Sequence, residues 1–301
     1  MRDPAARAVS TAYRVAAVVA QRLPARAGRP IAAVIGRVAP VVMPARRRQV
    51  ERHQRRVAAG RPPAPVSSVF ESYARYWYEL FRLPADVRAH AVAAHFTVTG
   101  LEHLEGPLDE GRGVVAAVPH LGGWEWAAAW FAERGRRPFA VVEPVEPPEL
   151  FEWFARVRAA IGIDIVPLGD TVASEVLRAA RSNRVVCLLA DRDLTGDGVE
   201  VEFFGERTTL PAGPATVALR TGAPLVPIAV YFEPSRGHHA VIRPALDTER
   251  RGRLRDDIAR ITQAMATTFE ELIRAAPEQW HLLQPNWPSD YDDAPNGRGE
   301  Q

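Results

Sequence analysis

The stretch Val114-Val-Ala-Ala-Val-Pro-His120-Leu-Gly-Gly-Trp-Glu125 decides the fold. Its apolar run, ending at Pro119, predicts a strand covered on both faces, because a half-exposed strand would alternate. Gly122 and Gly123 turn the chain, and a helix is expected from Trp124. His120 then falls at the carboxyl end of a strand, where open α/β sheets place their ligands. Two adjacent glycines permit close backbone approach, and their N–H groups at a helix start suit a negative charge. His120 and Glu125 would lie about 140° apart on a continuous helix, so only the intervening turn could make them cooperate.

The same pattern extends in both directions. Strands are expected at 95–99, 113–118, 138–142, 163–167, 185–190, 225–231 and 240–242. Between them, helical spacing marks 124–134, 148–160, 172–181 and 213–221. An apolar-faced helix at 66–83 precedes this body, and a long amphipathic helix at 254–276 closes it. Near-continuous Val/Ile/Leu strands alternating with helices define an α/β class, with a mostly parallel central sheet flanked by helices. The expected domain covers 62–288, and the Pro/Asp/Gly-rich residues 289–301 read as a disordered tail.

The chain has 301 residues, 47% hydrophobic and 25% charged, which excludes a disordered or fibrous protein. A single cysteine, Cys187, excludes a disulfide framework or a thiolate metal cluster, and its apolar surroundings read as core. All 38 basic residues are arginine, a bias typical of a high-GC genome.

Charge is segregated along the chain. Residues 1–61 carry fourteen arginines against Asp3 and Glu51, a net +12, so the remaining 240 residues carry −10 to give +2 overall. No apolar run approaches the roughly 18–20 residues of a transmembrane helix, and arginines interrupt any signal-peptide core. The expectation is a layer of basic amphipathic helices at 13–23, 31–42 and 46–58, bounded by Pro24, Pro30 and Pro44. Such helices lie in a membrane interface, each Arg contributing about 1 kcal/mol near an anionic leaflet. Few aromatics interleave with these arginines, which argues against nucleic acid.

The His120-Leu-Gly-Gly-Trp-Glu125 segment resembles the His-x4-Glu/Asp signature of the glycerolipid acyltransferase superfamily, in the form carried by the lipid A late acyltransferase branch. Val142-Glu143-Pro144, Arg158, Ala190-Asp191-Arg192-Asp193, Val201-Glu-Phe-Phe-Gly205, Leu210-Pro-Ala-Gly213 and Gln279-Trp280 extend the resemblance in consistent order from Tyr73 to Trp287. The Glu143 and Asp191-Arg192-Asp193-Leu194 segments are most similar to actinobacterial phosphatidylinositol mannoside acyltransferases. The resemblance implies a fold like glycerol-3-phosphate acyltransferase and transfer of a palmitoyl chain from acyl-CoA, a co-substrate, to a mannose hydroxyl of a membrane mannolipid. No further cofactor and no metal are implied. The implied place of work is the cytoplasmic face of the plasma membrane, against anionic inner-leaflet phospholipid.

Within that resemblance, His120 is the general base on the acceptor hydroxyl, since an alcohol is a weak nucleophile until its proton is removed. A carboxylate should hold the other ring nitrogen. Glu125 is the motif acid; Asp191, Asp193 and Glu200 are the other candidates, and Asp191 is favoured because it directly follows a strand. Oxyanion donors are sought in the Gly122 and Gly123 N–H groups or in Arg158. Glu143 is assigned to sugar or inositol, Trp124 to the wall of an apolar acyl groove open toward the bilayer, and Arg192 to the substrate contacts.

Other chemistries fit less well. There is no Gly-x-Ser-x-Gly elbow, no His-Glu-x-x-His pattern and no Gly-x-Gly-x-x-Gly fingerprint. Transfer to lipid A or another glycolipid is the alternative within the family. A non-catalytic membrane-surface scaffold is the alternative outside it.

Overall fold

A computed structural model describes residues 4–234 and 237–291. Three basic helices, α1 (Pro4–Arg22), α2 (Ala25–Val42) and α3 (Pro44–Ala58), lead into α4 (Val66–Arg88). The body then runs β1 (Phe96–Thr99), α5 (Glu102–Asp109), β2 (Val114–Val118), α6 (Trp124–Glu133), β3 (Phe139–Val142), α7 (Pro148–Ala160) and β4 (Asp164–Pro167). It continues through α8 (Val172–Arg181), β5 (Val185–Leu189), a hairpin of β6 (Val199–Phe203) and β7 (Glu206–Leu210), and α9 (Gly213–Thr221). The last elements are β8 (Leu225–Phe232), β9 (His238–Ile242) and α10 (Leu254–Ala275).

Seven strands form one sheet in the order β1-β9-β8-β2-β5-β3-β4. Every pairing is parallel except β8 with β9, so the mostly parallel sheet expected from the sequence is present. All five β2 residues are buried. Val115 and Ala117 join a core with Val176 of α8, Val217 of α9 and Met265 and Phe269 of α10. Val114, Ala116 and Val118 face the other layer, with Leu104 of α5 and Phe131 of α6. This alternation explains the unbroken apolar run, since both faces are covered.

Several expectations change. Pro30 does not end a helix: α2 runs through Pro30 and Pro40. Close packing on α4 holds it, since a Cβ on Gly36 would meet the Glu71 backbone at 2.5 Å. The 66–83 helix continues through Pro84 to Arg88. The β6–β7 hairpin was not expected as strands. Its two-residue turn is Phe204-Gly205, with φ of 53° and 76°, and Phe is not a residue that announces a left-handed turn. At the C-terminal end, Pro288–Asp290 form a 3₁₀ turn with Asp290 buried, so residues 289 and 290 belong to the folded body. Tyr291 follows them as an exposed residue, and the remainder of the expected tail, 292–301, lies outside the described residues.

The N-terminal helices pack on α4 through Tyr13, Ala17, Ala20 and Ala32. Their outer side exposes Val15, Val18 and Val19 of α1 and Ile31, Val34, Ile35, Val38, Val41 and Val42 of α2. Among the described residues, no helix is long and apolar enough to cross a membrane.

Candidate active site

Strand register builds the site. Val118 of β2 is paired with Leu189 of β5, and both chains continue two residues beyond that pair, to His120 and Asp191. The ladder extends one step further, because Ala190 N–H donates to the Val118 carbonyl at 3.1 Å. Parallel neighbours therefore deliver a base and an acid to the same edge. His120 Nδ1 lies 2.6 Å from Asp191 Oδ1, and the His120 backbone N–H donates to Oδ2 at 2.9 Å.

Because an ionised carboxylate only accepts, Nδ1 carries the proton and Nε2 the lone pair. The His120 side chain is 39% exposed and lines a cavity of about 510 Å³, whereas Asp191 is fully buried. Burial alone would lower the His120 pKa, but the Asp191 charge and its hydrogen bond outweigh it and leave it raised. Burial would likewise raise Asp191, yet His120 and the Trp280 indole N–H, 2.8 Å from Oδ2, hold it low.

Glu125 does not touch His120. Its Oε1 accepts from Tyr76 O–H at 2.9 Å and from Arg158 Nη2 at 3.1 Å, beneath the helix start. Burial leaves its carboxyl above the usual range despite Arg158. Of the candidate orienting acids, Asp191 is thus the one in contact. Asp193 serves the following turn, accepting from Thr195, Gly196 and Gly198 N–H groups and from Thr209 O–H. Glu200 is 68% exposed on β6 and pairs with Arg207.

The two glycines need a second correction. Gly122 N–H donates to the Gln279 carbonyl and Gly123 N–H to the Val230 carbonyl, so neither is free for an oxyanion. Gly122 is required instead by packing: its φ is 61°, and a Cβ would sit 1.7 Å from the Val230 oxygen. Arg158 remains as the candidate charged donor, and it lines the same cavity as His120.

Glu143 and Arg192 also line the cavity, their charged groups 3.9 Å apart. Trp124 forms part of its wall and, on its other side, part of a smaller apolar chamber of about 60 Å³ between α5, α6 and the sheet. Cys187 lines that chamber, and burial pushes its thiol up to about 12. Sequence reasoning did not find Tyr76, Trp280 or His281 as site residues. The Gln279-Trp280 segment was visible, but its approach to Asp191 spans 89 positions along the chain.

An α/β sheet with a His–Asp pair above its strand ends is shared by many hydrolases and transferases, so the class rests on the family. A model described as bacterial lipid A biosynthesis acyltransferase matches residues 4–289, and the chain belongs to that family of acyltransferases. The chain is 43% identical over 244 residues to a phosphatidylinositol mannoside acyltransferase of Mycobacterium tuberculosis, covering 78% of this chain and 75% of the relative. It is 40% identical over 258 residues to the Mycolicibacterium smegmatis protein of the same name, covering 83% and 82%. A lipid A biosynthesis acyltransferase of Haemophilus influenzae is 27% identical over 187 residues, 60% of this chain and 55% of the relative.

Proposed function

We propose that this protein transfers a long-chain acyl group, palmitoyl in the first instance, from acyl-CoA to a mannose hydroxyl of a phosphatidylinositol mannoside. The observation that carries this reading is the His120–Asp191 pair opening into the cavity, in a chain whose mycobacterial relatives bear that name.

The acceptor O–H gives its proton to His120 Nε2 as its oxygen attacks the thioester carbonyl carbon. The new C–O bond forms while the carbonyl electron pair moves onto oxygen, where the Arg158 guanidinium stabilises it. Collapse restores the carbonyl and breaks the C–S bond. The departing sulfur takes the proton from the imidazolium, so ester and CoA thiol leave and His120 is neutral again, with no acyl-enzyme. Asp191 keeps the ring oriented and stabilises its charged form.

The cavity joins Glu143, Arg192 and Arg158, which suit the sugar headgroup and the pantetheine arm, to a mainly apolar wall that includes Val141, Phe154, Leu168, Val172 and Val217, which suits the acyl tail. The chamber behind Trp124, at about 60 Å³, is too small for a long acyl chain, so the tail is assigned to the larger cavity. The outward Val and Ile side chains of α1 and α2, beside Arg14 and Arg22, would rest on an anionic cytoplasmic membrane face.

The test is CoA release by the purified protein with palmitoyl-CoA and a phosphatidylinositol dimannoside. Release that needs the acceptor and vanishes in His120→Ala supports the reading. Release with a lipid A precursor alone would move the acceptor to the other branch, and vesicle binding with no transfer to any acceptor would favour the scaffold. Val172→Phe, which narrows the apolar part of the cavity, should shift donor preference toward shorter chains. Val34→Asp with Val38→Asp should weaken binding to anionic vesicles.

A further inference from the structure

Among the described residues, the Asp191 carboxylate is held by three donors, and only one of them comes from outside His120. That donor is the indole N–H of Trp280, a side chain that is 1% exposed. Trp280 belongs to a strap at 277–290 that crosses the site edge. Gln279 O accepts from Gly122 N–H at 3.0 Å, His281 N–H donates to the His120 carbonyl at 2.7 Å, and Asn286 Nδ2 donates to the Asp191 carbonyl at 3.1 Å. The strap thus holds the backbones of both members of the pair as well as the carboxylate.

What fixes the strap is α3, the most polar of the N-terminal helices. Arg46 donates to the Leu283 carbonyl, Gln54 to the Pro277 carbonyl, and His53 Nδ1 lies 2.9 Å from the Leu282 carbonyl. The His53 ring packs on Trp280 at 5.3 Å, and Phe204 closes on the indole at 5.7 Å. The indole therefore has little freedom to turn its N–H elsewhere.

We propose that Trp280 is a positioning residue: its N–H fixes the Asp191 carboxylate and moderates how strongly that carboxylate draws the imidazole proton. A donor on Oδ2 withdraws charge from the carboxylate. Without it Asp191 is more basic, holds protonated His120 more tightly, and delays its return to the neutral base as pH rises. The other charged and titratable groups around the pair are Arg192 beyond β5, Glu125 of α6 with Arg158 of α7, Tyr76 of α4 and His281 on the strap. Behind Trp280 lie His53 and Arg56 of α3 with Asp290. None of these replaces the indole as a donor to Oδ2.

This inference rests on His120 as the base, and the experiment separates the two. Full-length Trp280→Phe is compared with wild type and with an isosteric replacement of Trp280 by benzothienylalanine, in which sulfur stands for N–H. Loss of a hydrogen bond to a charged group predicts about a 10-fold lower kcat with KM little changed. The acid limb of the kcat profile and the imidazole NMR titration of His120 should both move upward by about half a unit or more.

An unmoved titration in the benzothienyl protein overturns the inference, whatever its activity. A moved titration in a protein without His120-dependent transfer upholds the Trp280 link and rejects the base. If Trp280→Phe does not fold, the isostere alone decides.

Discussion

Among the described residues, two His–carboxylate pairs lie less than 3 Å apart, and of these the His120 pair alone has hydrogen-bond geometry and faces a cavity. His120 Nδ1 and Asp191 Oδ1 are 2.6 Å apart, and His238 Nε2 and Glu79 Oε2 are 2.8 Å apart. The first pair opens into the cavity, with the His120 side chain 39% exposed; the His238 side chain is 1% exposed, stacked under Trp126 at 4.3 Å. Among the described residues, Asp191 has no arginine in direct contact, so its charge acts on His120. Glu79 is shared with Arg75 and Arg29, which compete for its charge and oppose a proton on His238.

Hence burial wins at His238, whose pKa is lowered, and loses at His120, whose pKa is raised. Access and the surrounding cations, rather than the distance within the pair, separate the site proposed for the base from a buried structural pair.

The largest effect that would break this contrast belongs to Asp191→Asn. Steady-state assays should find kcat reduced about 10²–10⁴-fold, because the ring loses its orientation and the imidazolium its partner. His238→Gln should do the reverse. Chemical denaturation should report a loss of about 2–4 kcal/mol from opening a buried charge cluster, while kcat stays within about threefold. Comparable kcat losses in the two variants would abolish the distinction drawn here.

The pairs should also respond to pH with opposite sign. His120, with its raised value, contributes stability that is complete below the free-imidazole range and fades as pH rises through its folded value. His238 is lowered and His281 falls to about 3, so the unfolded chain binds more protons there, and both make the fold weaken as pH drops below about 6.5. Denaturation of wild type and His238→Gln from pH 5 to 8 should show the acid-side loss reduced in the variant. In activity, the acid limb of kcat/KM should lie above the free-imidazole value, since only neutral His120 accepts a proton; a limb below it would contradict the Asp191 pairing.

The smallest expected change is in Asp193→Asn. Here a turn loses charge-assisted acceptors, so stability should drop by about 1 kcal/mol with kcat within about threefold. Activity losses ordered Asp193 over Asp191 would reassign the orienting acid.

Much of this was open to a sequence reader. The unbroken apolar runs named the sheet, and the position of Asp191 directly after one of them singled it out among four acids. The Glu125 partnership was not legible, because the five-residue spacing leaves the turn undetermined and Tyr76 and Arg158 come from distant helices. Gly122 and Gly123 read as ligand donors; the Gln279 and Val230 carbonyls take their N–H groups instead, and the Val230 oxygen leaves Gly122 no room for a Cβ. Pro30 of α2 read as a helix boundary because local rules cannot include the face of α4.

The sequence by itself determined the strand–turn–helix at His120, the alternation of strands and helices, and the segregation of positive charge at the N-terminus. These are local properties of pattern and composition, carried by side chains close together in the chain. Only the tertiary structure decided which acid reaches His120, which N–H groups are occupied, and that α3 and the C-terminal strap brace the pair. Those outcomes depend on strand register and on contacts across as many as 238 positions, such as Arg52 with the Asp290 carbonyl. Such contacts leave no periodic trace in the sequence, since each is fixed by the packing of whole elements rather than by its neighbours.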